Sequence, residues 1–488
     1  MDAPPDRSGL GEARRFASNA LWLLIGDLVA KGASLLFVIV VARGLGTVEY
    51  GYFNFAVSFI PLFLIVGAWG LDNIFFRELA QHRDELSRYY SSGLAVRVLL
   101  GAGALIVGLG AGPFFIPAGD AFVALILVGV ALFLDELSSF VSTVFRAFEM
   151  MRYRAFRIMV NRILTTTLAL VAVAFDGDLV LICAMYMAGS FGALVYSWWA
   201  LRRHFPTIDH RSPDRSIMRS LVRDGMPLAL AGALNMAVFR IDALMLQAIK
   251  GPVQVAFYGV AYRFLDSFMF IAWSFGNVAL PRIARSESEG QERTFEISLA
   301  LIVTAYLPLA IAAFFLGNEM VALAFGDRYR AAGHAVFWLM AAGVFYGAAY
   351  LGRMACIAIG RTSAIARLGA AALVVNVIGN SFLIPAHGFE GAAVMTMATS
   401  ALEGVGIVAV FLRHRGDVRW DGPILVPLLA ALPMILAMWL LDGSAWAAAI
   451  VGAVVFALGT VIGARVLAPE LASVATSLLR RRRPASTP

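Results

Sequence analysis

Charged residues inside otherwise apolar stretches are the residues whose types and spacing could do chemistry in this sequence. Ionisable groups within a membrane are costly, and they usually face a water-filled cavity or a partner of opposite charge. Five cations are of this kind: Lys31, Arg97, Arg162, Arg240 and Arg263. Guanidinium and ammonium groups bind phosphate, so these residues predict a site for an anion that crosses a layer of low dielectric constant.

The depth of these cations follows from the helical rise. At about 1.5 Å per residue, Lys31, Arg240 and Arg263 lie about 15–18 Å below the turns at the outer ends of their helices, near the centre of a hydrocarbon layer about 30 Å thick. Arg97 and Arg162 lie one or two turns from the cytoplasmic side. We therefore expect the four arginines, with Lys31, to line a cationic cavity that binds substrate.

Carboxylates buried in the same segments allow two further interpretations. They are Asp27, Asp135, Glu136, Asp242, Asp266 and Glu403. Burial favours the protonated form of a carboxylate, so these groups could couple transport to a proton or sodium gradient. Alternatively they form structural ion pairs, because Asp27 and Lys31 share a helix face, and Arg263 and Asp266 are three residues apart. For Glu403, which has no basic residue nearby in its own helix, a polar contact with Asn or Ser on a neighbouring helix is favoured.

Helices must position all of these residues. The chain is 60% hydrophobic and 15% charged, with a mean hydropathy of +0.80, which excludes a soluble globule of 488 residues. About fourteen segments are long and apolar enough to cross a membrane, so the sequence predicts an all-α polytopic protein. The segments begin near Ala20, Tyr52, Gly93, Phe122, Ile158, Val180, Met226, Val253, Ile297, Ala331, Ala364, Gly391, Ile424 and Ala445.

Arginine is concentrated in alternate loops, which predicts the orientation of the chain. Cytoplasmic loops collect Lys and Arg, and the loops counted as cytoplasmic include those with Arg154, Arg157 and Arg353. Both termini are then cytoplasmic. The same distribution explains the net charge of +7 as an orientation signal and argues against nucleic-acid binding. The sequence divides into an N-terminal lobe, a basic cytoplasmic loop, a C-terminal lobe, two further helices and a basic cytoplasmic tail: 1–201, 202–224, 225–412, 413–468 and 469–488.

Three stretches resemble a known family. The first hairpin, VARGLGTVEYGY at 41–52, resembles that of bacterial polysaccharide and O-antigen flippases of the multidrug/oligosaccharidyl-lipid/polysaccharide exporter superfamily. The resemblance continues at 240–242 with 257–261, and at 376–380 with 384–393. It implies two six-helix lobes around a central cavity. It also implies outward movement of undecaprenyl-diphosphate-linked oligosaccharides across the bacterial inner membrane.

Other classes remain as alternatives. A membrane glycosyltransferase or polymerase would need a sizeable outer loop with clustered carboxylates or His, and no such loop is predicted, so the chain is not expected to be an enzyme. A cation-coupled multidrug exporter or a lipid II flippase would share the fold. We expect no catalytic residue, metal or cofactor, and no glycine-rich phosphate loop is present. Expected partners are the lipid-linked oligosaccharide, membrane lipids, and polymerase and chain-length proteins of an O-antigen, capsule or exopolysaccharide pathway.

Overall fold

The predicted all-α architecture is confirmed. The structure is a computed structural model that describes residues 7–68, 70–209, 213–285, 288–415, 422–441 and 444–469, and within these ranges it contains helices and no strand. Each of the fourteen predicted apolar segments lies in a helix. The α-helices are α1 (Arg7–Gly44), α2 (Thr47–Ala68), α3 (Leu71–Gln81), α4 (Leu86–Ala111), α5 (Asp120–Ala147), α6 (Met151–Ala174), α7 (Leu179–His204), α8 (Arg215–Lys250), α9 (Pro252–Arg285), α10 (Ser288–Phe325), α11 (Gly333–Ala358), α12 (Thr362–Arg415), α13 (Leu425–Leu440) and α14 (Ala445–Leu467).

Helix lengths agree with a membrane protein. Among the described residues, eleven helical stretches are long and apolar enough to cross a membrane. Helix α12 has 54 residues and is interrupted at Gly388, whose φ of 57° and ψ of −132° are not helical. Glycine tolerates this backbone conformation without a Cβ clash. Helix α12 therefore supplies both of the predicted segments that begin near Ala364 and Gly391.

The chain forms two compact units, Met1–Ala256 and Phe257–Pro488. In the first unit, α1 packs on α6, α5 packs on α7, and α2 packs on α4, α5 and α8. Small residues allow close approach: a Cβ on Gly189 of α7 would lie 2.3 Å from the Thr165 side chain of α6. An aromatic core fills the end of this unit, where the rings of Phe75 and Phe140 are 4.6 Å apart.

Helix α8 belongs to the first unit by its contacts, whereas the predicted lobe boundary at 202–224 puts it in the second lobe. Its residue Leu221 packs in a cluster with Leu71 and Ile74 of α3 and Val96 of α4. Gly232 of α8 lies against Ile65 of α2. The division of the chain into lobes stays a prediction, and so does the basic tail, which lies outside the described residues from 470 onward.

The connection between α7 and α8 is fixed to the start of α4. The Asp214 backbone N–H donates to Ser92 Oγ at 2.8 Å, and Arg88 Nη2 donates to Asp214 Oδ2 at 2.7 Å. Asp214 also caps α8, because its carboxylate accepts from the Ser216 hydroxyl and backbone N–H. These hydrogen bonds hold the pKa of the Asp214 carboxyl well below its usual range; the bond from Ser216 has the largest effect and the bond from Arg88 the next largest.

In the second unit, α11 packs between α10 and α12, and α13 pairs with α14. The α13–α14 pair packs on α10 through a core that includes Ile311, Leu316 and Met434. Such packing needs small residues at the contact: a Cβ on Gly452 of α14 would lie 2.7 Å from Met438 of α13. The last two helices thus form a hairpin attached to one side of this unit.

Candidate functional site

Arg97 lies in a buried ion pair. It is 1% exposed, and its Nη2 donates to Glu136 of α5 and lies 3.6 Å from Asp72 Oδ2 of α3. Its Nη1 donates to the Ala68 carbonyl at 3.0 Å, where α2 ends. The next described residue, Gly70, has a φ of 65° and lets the chain turn into α3. The guanidinium of Arg97 therefore holds the bend between α2 and α3, which is a structural task, and its predicted role in binding substrate stays a prediction.

A second ion pair lies beside the first. Arg157 Nη1 of α6 is 2.8 Å from Asp135 Oδ1 of α5, and Asn161 Nδ2 donates to the same oxygen at 3.2 Å. Arg154 is electrostatically coupled to Arg157 and to Asp27 of α1. The sequence analysis placed Arg154 and Arg157 in a cytoplasmic loop, but α6 begins at Met151. The predicted start of this segment, near Ile158, is seven residues too late. Arg157 was therefore not predicted as the ion-pair partner of Asp135.

The other predicted cations of the first unit have different surroundings. Arg162 is half-buried in α6, and the described part of the chain gives it no ion pair. On α1, Asp27 and Lys31 are both exposed. Arg162 and Lys31 stay predicted lining residues, and Asp27 stays a predicted ion-coupling or ion-pair carboxylate.

Arg240 is a half-buried cation with unused hydrogen-bonding capacity. It lies in α8, about 15 Å along the helix from the end at Lys250. Its Nε is hidden from solvent and has no hydrogen-bond partner among the described residues. Asp242, two residues on, is 1% exposed and therefore lies on a more deeply packed part of the helix surface. The Nε atoms of Arg97 and Arg157 also lack a hydrogen bond, but Arg240 has in addition no ion pair among the described residues, so its guanidinium is suited to receive an anion.

Arg263 and Asp266 of α9 lie close together, as one of the two interpretations anticipated. Arg263 Nη1 is 3.5 Å from Asp266 Oδ2, and both side chains are half-buried. At this distance one guanidinium nitrogen faces the carboxylate, while the rest of the planar group keeps its donors available. Arg263 can therefore bind a phosphate oxygen while it keeps its contact with Asp266.

Glu403 forms an ion pair with Arg353, a partner that the sequence did not predict. The expected contact with Asn or Ser is wrong, because Arg353 Nη1 of α11 donates to Glu403 Oε1 of α12. The two side chains are 15% and 16% exposed. Arg353 was assigned to a cytoplasmic loop, yet α11 continues to Ala358. Aromatic residues surround the pair, since the Arg353 guanidinium lies 5.8 Å from the ring centre of Tyr346 and 5.7 Å from that of Tyr350.

Within the described ranges, no group of three or more His, Cys, Asp or Glu residues is arranged to hold a metal ion. The two cysteines, Cys183 and Cys356, are free and buried. The chemistry available is therefore that of guanidinium groups, some neutralised by carboxylates and two, Arg162 and Arg240, without an ion pair among the described residues.

Comparison with known proteins identifies the family. Residues 16–287, more than half of the chain, match the family described as polysaccharide biosynthesis protein. The chain belongs to this family. An uncharacterized membrane protein of Methanocaldococcus jannaschii is 24% identical over 463 residues, which cover 86% of this polysaccharide biosynthesis protein and 89% of the relative. The EPS I polysaccharide export inner membrane protein EpsE of Ralstonia solanacearum is 28% identical over 241 residues, 48% of this chain and 54% of the relative.

Solved structures share the fold. The inward closed conformation of the lipid II flippase MurJ matches with a TM-score of 0.77 at 13% identity, covering 91% of this polysaccharide biosynthesis protein and 99% of that chain. An inward-facing multidrug resistance MATE family transporter of the MOP superfamily matches with a TM-score of 0.63 at 17% identity, covering 78% and 93%. The resemblance found in the sequence motifs is thus confirmed, and the chain is a multi-pass membrane protein with a transporter fold.

Proposed function

We propose that this protein is a flippase that moves undecaprenyl-diphosphate-linked oligosaccharide repeat units across the bacterial inner membrane by alternating access. The product feeds synthesis of an O-antigen, capsule or exopolysaccharide. Membership of the polysaccharide biosynthesis family supports this proposal, and so does the similarity to a polysaccharide export protein. The fold shared with a lipid II flippase supports movement of a lipid-linked sugar rather than catalysis.

The observation that carries the proposal is the state of Arg240. Most cations buried in the described helices already have carboxylate partners, as Arg97, Arg157 and Arg353 do. Arg240 has a buried Nε without a hydrogen bond and no ion pair among the described residues, and it lies about 15 Å along α8 from the end at Lys250. A diphosphate supplies the charge and the acceptor oxygens that this group lacks.

In the proposed mechanism, Arg240 and Arg263 each bind the diphosphate as it passes the middle of the membrane. Their guanidinium groups compensate its charge in a medium where an unpaired anion is very unfavourable. Arg162 and Lys31 are further cations of the first unit that bind the diphosphate, and Arg97 contributes by joining the end of α2 to α3. Both termini lie in the cytoplasm, so the loops rich in arginine meet the substrate on the side where it is made.

The energy for net movement of the substrate comes from a source other than ATP hydrolysis by this protein. The sequence has no phosphate loop for ATP. A proton or sodium gradient could act through Asp27, Asp135, Glu136, Asp242, Asp266 or Glu403, or a polymerase and chain-length protein could consume the product. Of these carboxylates, Asp242 is 1% exposed and closest in sequence to Arg240, which makes it our first choice for coupling.

A polysaccharide assay in cells tests the proposal. In a bacterial host whose own flippase gene is replaced by this one, we expect Arg240→Gln and Arg263→Gln each to reduce surface polysaccharide at least about tenfold, with normal protein levels in the membrane. Arg465→Gln is the matched control, because Arg465 is an exposed arginine in the last turn of α14. Normal polymer output from both cavity variants would contradict the site assignment.

The fold similarity to a multidrug transporter supports one other candidate, a cation-coupled drug exporter. Such an exporter would protect cells against cationic dyes, and removing Arg240 would improve or preserve that protection. Loss of polymer with no change in dye resistance therefore favours the flippase. A lipid II flippase would instead be revealed by rescue of cell-wall synthesis.

A further inference from the structure

One face of α9 carries a polar stripe. Arg263, Ser267, Ser274 and Asn277 follow one another at spacings of four, seven and three residues, which places them on the same side of a helix. The last three are exposed, and Arg263 is half-exposed. Ser267 and Ser274 donate their hydroxyl protons to the Arg263 and Phe270 carbonyls of α9, and each hydroxyl oxygen is left to accept a hydrogen bond from water or a polar ligand.

An aromatic cluster lies beside the stripe at the Asn277 end. Trp273 Nε1 donates to Tyr346 Oη at 2.9 Å, and Tyr350 Oη donates to Asn277 Oδ1 at 3.4 Å. The rings of Tyr346 and Tyr350 are 6.5 Å apart. Trp273 keeps 44% of its surface exposed, although its indole N–H already donates a hydrogen bond to Tyr346. The tryptophan therefore presents an apolar ring surface next to exposed hydroxyl and amide groups.

The ion pair behind these aromatics has no net charge. Arg353 donates to Glu403, and its guanidinium faces the rings of Tyr346 and Tyr350. A neutralised pair offers donors and acceptors without attracting an anion, in contrast to Arg240 with its unfilled donor. We name Trp273, Asn277, Tyr346, Tyr350 and the Arg353–Glu403 pair the aromatic–polar cluster.

We propose that the aromatic–polar cluster binds a sugar ring of the substrate's oligosaccharide. This inference rests on the flippase function proposed above. A sugar ring has an apolar C–H face and a rim of hydroxyl groups, and it matches an exposed indole ring flanked by hydroxyl, amide and carboxylate groups. A diphosphate would find no free cation here, because Arg353 is already paired.

The distance from Arg263 gives the site its selectivity. Ten residues separate Arg263 from Trp273, which is about 15 Å along α9. A diphosphate held at Arg263 can present a sugar to Trp273 only if the glycan is longer than one ring, because a single ring ends well short of this distance. Ser267 lies between the two points, and its hydroxyl oxygen can accept a hydrogen bond from an intervening sugar, since its proton is donated to the Arg263 carbonyl. The cluster therefore favours oligosaccharides over a single sugar.

The test compares two lipid-linked substrates in liposomes containing the purified protein: undecaprenyl diphosphate bearing a tetrasaccharide and the same lipid bearing a monosaccharide. We expect Trp273→Ala to lower the translocation rate of the tetrasaccharide form roughly five- to tenfold, and that of the monosaccharide form less than about twofold. Trp273→Phe should retain most of the rate, because it keeps an aromatic face. Trp439→Ala is the matched control, since Trp439 of α13 is an exposed tryptophan of the same unit.

Equal losses for both substrates, or no loss for either, would overturn the inference. A binding measurement separates it from the flippase proposal: a soluble neutral tetrasaccharide should quench the tryptophan fluorescence of the protein in nanodiscs, and Trp273→Phe should remove that quenching. Wild-type protein that moves neither lipid but shows this quenching would refute the flippase and support the sugar site. Quenching unchanged by Trp273→Phe would refute the sugar site alone.

Discussion

Replacing Arg97 by Met tests whether this buried cation has a structural role. Methionine has a similar length and no charge, so it fills the space and removes the ion pairs. In the variant, Glu136 loses its guanidinium partner, Asp72 loses a cation 3.6 Å away, and the Ala68 carbonyl loses its hydrogen bond. The contacts through which Arg97 joins the end of α2 to α3 are then lost.

The expected magnitude follows from the exposure of the partners. Removing one member of a fully buried ion pair costs about 3–5 kcal/mol. The Glu136 and Asp72 side chains retain 40% and 36% of their exposure, so water compensates part of the loss. Arg97 itself has an Nε without a hydrogen bond, which already lowers the stability of the wild type. We therefore expect a loss of about 3 kcal/mol in the free energy of unfolding, at the low end of the range.

Equilibrium unfolding in mixed micelles, followed by circular dichroism, measures this loss. Arg162→Met is the control, because Arg162 is half-buried and has no ion pair within the described ranges, and its loss should stay below about 1 kcal/mol. The double variant Arg97→Met/Glu136→Gln should be less destabilised than the sum of its single variants, by about 1.5 kcal/mol. An Arg97→Met protein as stable as Arg162→Met would refute the structural role.

Two smaller changes test the packing and the capping of the first unit. Gly51→Ala should sharply reduce the amount of folded protein, because the new Cβ would lie 2.0 Å from the Pro252 carbonyl oxygen. Gly46→Ala should not, because a Cβ there meets open space. The yields of the two variants after extraction from the membrane test this. Asp214 has a lowered pKa, chiefly because Ser216 donates to it, so its ionised form stabilises the folded state. That contribution is complete above the ordinary carboxyl pKa of about 4 and is lost as the pH falls from there towards the lowered pKa, so unfolding midpoints between about pH 2 and 5 should depend less on pH in Asp214→Asn than in the wild type.

Hydropathy was sufficient to predict the fold, because a helix that crosses a membrane must be apolar along its whole length. All fourteen segments lie in helices, and the break at Gly388 corresponds to the hairpin expected between the segments beginning near Ala364 and Gly391. The ends of the helices were less predictable. Arginines such as Arg157 and Arg353 can belong to a helix or to a loop, because a long side chain reaches the membrane surface from within a helix.

The candidate site was harder to predict because ion pairs between helices leave no spacing rule in the sequence. Arg263 and Asp266 are neighbours on one helix, and their proximity could be expected from a separation of three residues. Arg353 and Glu403 are fifty residues apart, and their pairing depends on how α11 packs against α12. Trp273 gave no signal in the sequence, since tryptophans are common in membrane helices and only its contacts with α11 distinguish it.

The central claim is that this protein translocates a lipid-linked oligosaccharide, and purified protein in liposomes tests it most directly. Undecaprenyl diphosphate tetrasaccharide is placed in the inner leaflet, and a glycan-modifying enzyme outside reports its arrival. The account predicts exposure of the glycan by wild-type protein and a loss of at least about tenfold in Arg240→Gln, with Arg465→Gln unchanged. Glycan exposure at the rate of protein-free liposomes, or equal rates in wild type and Arg240→Gln, would contradict it.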